Sequence, residues 1–560
     1  MKKLVTVAGL MLALGACEDK ATTTTETAGT AESTASAPYE MNADALADHV
    51  KTLASDEFGG RAPGSPGEEL TVRYLEAAFK EAGLKGANGG SFIQEVPLVS
   101  IETQGTPAMQ ITGGVGENLD LAYRADQVTW TRREQNDTEV HESDVVFVGY
   151  GINAPERGWN DYEGVDVKGK TVVILVNDPG FSTQDPALFE GNTMTYYGRW
   201  DYKFDEAARQ GAAAALIIHD TKPAAYGWGT VDSSWTGPQF GMVRDDKGAS
   251  LSELEGWITT ESADRLFAKA GLDRAALSSA ATAPGFKAVP MDLKFSGGFR
   301  SEINHVQSRN VAGVLEGSER PDEYFIYMAH WDHIGTDPTV EGDGIYNGAL
   351  DNATGTGGLV ELARAYTSAE NPPKRSVLFL AVTAEEQGLL GSAYYAANPL
   401  VPLERTVGGI NMDGLNYYGP THDVTVVGLG NSELDDYLKT AANNRSRVLV
   451  ADQEPEKGYF YRSDHFELSK RGVPMLYPNS GYDHIEKGRA YVEGLVAEYL
   501  ANRYHQPADE YQDSWDLNGA IKDLELYYAT GRLIIDSDVW PNWREGSEFK
   551  ALRDEQRSGQ

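Results

Sequence analysis

From about residue 310 the chain alternates strand-like and helix-like stretches, and this alternation limits its architecture more than any other feature. Tyr324 to Ala329, Ser376 to Val382 and Val407 to Met412 are short enough for buried strands, and a helix-period stretch from about Gly357 to Tyr366 separates the first two. Strands that take turns with helices build a mostly parallel sheet flanked by helices, so the expected class is α/β. Sheets of this kind bind ligands beyond the carboxyl ends of their strands, and potential metal ligands stand there. His330 follows the first strand, Glu385 and Glu386 the second, Asp413 the third, and Asp351 lies in the Gly-rich stretch Asn347-Gly348-Ala349-Leu350-Asp351-Asn352.

The rest of the chain organises around that region. Lys2 and Lys3 precede an apolar run from Leu4 to Leu14, too short for an ordinary membrane span and suited to an export signal. Leu14-Gly15-Ala16-Cys17 resembles a bacterial lipobox, which implies a lipidated Cys17 as mature N-terminus and membrane anchor. The expected location is an exported lipoprotein facing the periplasm or the cell surface. Residues 18–39 are rich in Thr, Ala, Ser and Glu and have too few apolar side chains to fold, so they read as a tether. Residues 40–112 read as the first part of a main domain, with a loop at Gly59 to Ser65 and a helix over Leu70 to Phe79 ended by Gly83. Residues 113–296 form a β-rich insertion, 297–545 the main part of that domain, and 546–560 a polar tail.

Composition excludes several chemistries. Cys17 is the only cysteine, so neither an internal disulfide nor a thiolate-held metal is available. A formal charge of −36 repels phosphate backbones and argues against nucleic acid as a partner. Imidazole and carboxylate ligands without thiolate suit a catalytic zinc site, and a two-metal centre needs a carboxylate able to bridge its ions. The chain has no HExxH motif, so such a site must be assembled from several strand ends. Adjacent acids also occur at Glu68-Glu69, Asp245-Asp246 and Asp435-Asp436, so the Glu385-Glu386 pair carries meaning only within the ordered set.

That ordered set resembles the co-catalytic two-zinc aminopeptidases and glutamate carboxypeptidases. The resemblance rests on Ala329-His330-Trp331-Asp332-His333-Ile334-Gly335, Gly348 to Gly355, Thr383 to Ser392, Asn411-Met412-Asp413, Arg462-Ser463-Asp464-His465 and Tyr504-His505, and it extends to the Gly60 to Ser65 loop. It implies a zinc exopeptidase fold that binds two zinc ions. Asp351 would bridge them, His330 and Asp413 would complete one ion, and Glu386 with His505 the other. Glu385 would be the general base, Tyr504 would aid the developing oxyanion, and Asp332 would orient a ligand by a hydrogen bond. Asp351-Asn352 would occupy the family's cis peptide. Gln506 stands where Thr is expected after the last ligand, which leaves His465 and His484 as alternatives to His505.

Within the insertion, Val146 to Ile152, Asp161 to Val173 and Lys203 to Ile218 look like a protease-associated domain, a module that covers the active-site mouth in related enzymes or serves as a spacer. The implied function is removal of N-terminal residues from peptides. A carboxypeptidase of the glutamate-releasing type and a non-catalytic surface binding protein are the rivals. The sequence does not show which side chains line the substrate pocket, nor the oligomeric state.

Overall fold

The computed structural model describes residues 39–558. The export signal, Cys17 and residues 18–38 of the tether lie outside the described residues. Among those described, no helix is long and apolar enough to cross a membrane.

Helix α1 (Ala43–Leu53) starts at Asn42, whose side chain accepts the Ala45 N–H, and α2 (Pro66–Glu81) starts at Ser65, which accepts the Glu68 N–H. Each cap satisfies a helix-end donor that has no partner inside its helix. Glu68 is itself fully buried, held by the Gly64 N–H, the Ser308 hydroxyl and the Arg309 guanidinium.

The strands follow as β1 (Ile93–Gly113), β2 (Gln127–Trp130), β3 (Asp137–Phe147), β4 (Thr171–Leu175), β5 (Ala214–His219), β6 (Leu254–Thr259), β7 (Val289–Leu315), β8 (Arg320–His330), β9 (Arg375–Val382), β10 (Thr406–Asn411), β11 (Asp423–Val427), β12 (Val448–Ala451) and β13 (Met475–Ser480). All but β1 form one hydrogen-bonded path in the order β12-β11-β13-β10-β8-β9-β7-β3-β4-β5-β6-β2. Around the candidate ligands the pairs β8/β9, β8/β10 and β10/β13 are parallel, as the alternation requires. Helix α3 (Thr354–Thr367) makes the crossover from β8 to β9.

Both faces of this part of the sheet are covered. Phe325, Tyr327 and Ala329 point to a core shared with Leu46, Phe79, Leu359 and Leu524, while Ile326 and Met328 pack on the opposite face with Leu380, Tyr395 and Leu468. Successive residues of a strand face opposite ways, so a strand buried on both sides must be apolar throughout. Every residue of β9 and β10 is buried.

Strands β1 and β7 pair antiparallel from Ile93↔Val311 to Leu293↔Gly113, and β7 also pairs with β9 at one end and with β3 at the other. Residues 113 and 296 both lie on this ribbon. Its glycines and prolines, which look like loop punctuation in the sequence, sit inside long strands because Pro97 and Pro107 need no ladder partner for a missing N–H and Gly297-Gly298 accompanies a register shift. The polar tail differs from expectation too: Lys550–Ser558 is a helix, and its Arg553 is buried with the guanidinium donating to the carbonyls of Thr406 and Val407.

Candidate active site

Five side chains from distant parts of the chain meet at the carboxyl ends of β8, β9 and β10. His330 is the last residue of β8, and its Nε2 lies 3.1 Å from Asp413 Oδ1 and 3.3 Å from Asp351 Oδ1. On the other side of Asp351, Oδ2 lies 3.3 Å from His505 Nε2, which in turn is 3.1 Å from Glu386 Oε2. Asp351 thus faces an imidazole with each of its oxygens, the disposition a bridging carboxylate needs.

Backbone and side-chain hydrogen bonds fix the segments that carry these groups. The N–H groups of Leu350 and Asp351 donate to the Asp509 carboxylate at 3.1 Å each, and the Asp351-Asn352 peptide is cis. Burial lifts the Asp509 carboxyl to about 6. Ser463 donates to Asp413 Oδ2 at 2.7 Å. Arg61, fully buried, donates to the carbonyls of Leu53, Trp331, Asn347 and Gly348 at 2.6 to 2.8 Å, tying α1 to both segments that carry candidate ligands. The chain passes so close here that a Cβ at Gly60 would stand 2.3 Å from the Gly335 carbonyl oxygen, with Gly60 at φ +69°.

Asp332 makes its hydrogen bonds to the turn that carries both glutamates. Its carboxylate is 3.8 Å from His330 Nδ1, but it accepts the N–H of Glu385 at 3.1 Å and of Glu386 at 3.4 Å. It therefore anchors the turn that presents both glutamates, a turn entered through Ala384 at φ 53°. Burial raises the Asp332 carboxyl to about 8, and burial likewise lifts Glu385 well above the ordinary carboxylate range, with Asp413 and Glu386 adding to it and His330 opposing.

Tyr504 is 40% exposed and stacks on His505 with ring centroids 3.9 Å apart. It lines, with Asp351, Glu385, Asp413 and His505, a cavity of about 340 Å³. Neither alternative histidine joins this set. His465 is buried against the rings of Phe460 and Tyr477, where burial lowers its imidazole to about 3, and His484 accepts backbone N–H groups of Glu486 and Lys487.

The donor set fits a metal ion. One atom each from His330, Asp351 and Asp413 lie within 4.8 Å of one another, and so do atoms of His333, Asp351 and Glu386. His333 was not singled out by sequence reasoning, nor were Asp509, Ser463 and Arg61. The only signal was position: His333 follows Asp332 in the His330 motif, Ser463 precedes Asp464, and Asp509 lies four residues past His505.

Residues 310–529 match the model of peptidase family M28. Among curated proteins, the chain is 37% identical over 100 residues to a probable zinc metalloprotease of Pyrenophora teres f. teres (strain 0-1), covering 18% of this chain and 21% of that protein. It is 26% identical over 514 residues to a glutamate carboxypeptidase 2 homolog of Caenorhabditis elegans, covering 80% of this chain and 61% of that protein. The chain therefore spans less than two thirds of the length of these relatives. Among solved structures, an aminopeptidase from Aneurinibacillus sp. strain AM-1 superposes with a TM-score of 0.48 at 20% identity, over 90% of this chain and 95% of that one. Residues 310–529, which carry His330, Asp351, Glu386, Asp413 and His505, are thus the part of the chain that is similar to peptidase family M28.

Proposed function

We propose that the chain is a two-zinc exopeptidase that hydrolyses the N-terminal bond of peptides. The observation that carries this reading is Asp351 with an imidazole at each of its oxygens beside an otherwise uncommitted Glu385. His330, Asp351 and Asp413 would hold one ion, and Asp351, Glu386 and His505 the other. The ions, when bound, would polarise the scissile carbonyl and acidify the attacking water. Glu385 takes the proton of that water and passes it to the leaving amine, a task suited to a carboxyl whose buried setting raises its proton affinity. The Tyr504 hydroxyl donates to the developing oxyanion from the cavity wall.

The charge lining the cavity favours an N-terminal substrate. Besides Asp351, Glu385 and Asp413 it presents Asp452 and Glu454, which together attract an ammonium group. One observation favours the carboxypeptidase reading: Arg462 also lines the cavity and, among the described residues, forms no ion pair, although its guanidinium lies 5.5 Å from the Tyr459 ring centroid. The two readings separate on a panel of N-acetylated and C-amidated peptides, each assayed with and without a chelator. We expect chelator-sensitive cleavage of the amidated peptides and none of the acetylated ones. With Arg462→Ala the rates on amidated peptides should be roughly unchanged, whereas a carboxypeptidase that pairs this guanidinium with the substrate would lose about 2–5 kcal/mol of binding.

The β-rich region between β1 and β7 is proposed to act as a protease-associated module that braces the cavity wall. Met194 N–H donates to the Pro455 carbonyl, Asn192 reaches Glu456, and Tyr196 packs on Phe466 at 5.2 Å. Export and lipid attachment at Cys17 belong to the same proposal. Cys17→Ser should move the protein from the membrane to the soluble fraction of fractionated cells, and an unchanged distribution would remove the anchor.

A further inference from the structure

We propose that His333 is a further imidazole ligand of the cation held by Asp351 and Glu386, entering from the buried side of the site. The inference rests on the two-ion reading above and extends it to a side chain that the reading leaves without a task.

His333 is 0% exposed, and neither of its ring nitrogens has a hydrogen-bond partner among the described residues. A buried polar atom left unsatisfied costs about 1–3 kcal/mol, so such a ring needs a reason to be there. Its Nδ1 lies 2.5 Å from Glu386 Oε1, and that oxygen is likewise without an aligned hydrogen-bond donor. The two atoms are in close polar contact, and each can equally turn its lone pair to a cation shared with Asp351. Donor atoms of His333, Asp351 and Glu386 fall within 4.8 Å of one another, so small side-chain shifts bring all three to the about 2.0–2.2 Å that one zinc ion requires.

The loop that carries Asp351 is shaped around this ring. Gly348 has φ +55°, and a Cβ there would stand 2.5 Å from His333 Cγ and 2.6 Å from Cδ2. Glycine at 348 therefore admits the imidazole next to Asp351. On the opposite side His505, 37% exposed, approaches Glu386 through the other carboxylate oxygen, Oε2. The two rings stand edge to face with centroids 5.7 Å apart, so Glu386 has a buried imidazole at one oxygen and an exposed one at the other. The second ion then has four protein ligands, and the pair of ions shares three imidazoles: His330, His333 and His505.

The test is X-ray absorption at the zinc edge on the full chain loaded with two equivalents of zinc, supported by chelator competition. We expect three imidazoles per zinc pair in the wild type and two in His333→Leu and His333→Gln, with the weaker zinc held about 10–100-fold less tightly in both variants. Circular dichroism of the zinc-free variants checks that they fold. Two imidazoles per pair in the zinc-loaded wild type overturns this inference alone, as does an unchanged count in a folded His333→Leu. A wild type that takes up no zinc overturns the two-ion reading and this inference with it.

Discussion

Glu385→Gln should lower kcat by about 10²–10⁴ while zinc content stays at the wild-type level. The substitution keeps the shape of the side chain and removes its ability to carry a proton. Glu385 is placed for this separation of effects: it lines the cavity beside Asp351 and Asp413, while its neighbour Glu386 makes the close contacts with His333 and His505. Both glutamates hang from the Asp332 carboxylate through their N–H groups, and an amide at 385 leaves those backbone bonds intact. Single-turnover kinetics together with metal analysis reads both quantities. Full activity in this variant would refute the proton-transfer role, and loss of zinc would move Glu385 into the ligand set.

The second large effect is expected at Arg61. Arg61→Met should destabilise the protein by about 3–5 kcal/mol, because a charge-assisted hydrogen bond contributes about 1.5–3 kcal/mol and each buried carbonyl left without a donor adds a penalty. The guanidinium serves four carbonyls, of Leu53, Trp331, Asn347 and Gly348, at a position only 1% exposed. Burial lowers its pKa to about 10, so it remains charged at neutral pH. Arg61→Lys should recover little, since an ammonium cannot reach four acceptors arranged for a planar fork. Equilibrium denaturation with urea measures the loss. Zinc affinity should fall in parallel, because Trp331 and Gly348 flank the segments that present His330 and Asp351; wild-type affinity in a destabilised Arg61→Met would limit this arginine to the scaffold.

Much of the part of the fold that carries the candidate site was legible from apolar periodicity. The apolar stretches ending at Ala329 and Val382 read as buried strands, and the helix read over Leu70 to Phe79 is there, although it starts four residues earlier, at Pro66, behind its Ser65 cap. The ribbon of β1 and β7 was not legible, because Pro97, Pro107 and Gly297-Gly298 break the local pattern and the pairing partners are nearly 200 residues apart. The helix Lys550–Ser558 was missed for a related reason: its sequence is polar, and Arg553 is buried by a contact with the carbonyls of Thr406 and Val407 that no local pattern announces.

For the site, residue type and position gave His330, Glu385, Glu386 and Asp413 after strand ends and Asp351 in a Gly-rich loop as candidates, and the resemblance to two-zinc peptidases then assigned Glu386 rather than Glu385 to the metal. The same resemblance preferred His505 over His465 and His484. What no reading of the chain could decide is which nitrogen or oxygen each group turns toward. That depends on side-chain packing: Gly348 yields space to the His333 ring, Asp332 accepts from the backbone of the two glutamates, and Arg61 ties the end of α1 to the ligand loops. Spacing along the chain sets which side chains can meet, but their final directions come from short-range contacts between distant segments, and those exist only once the sheet has brought its strand ends together.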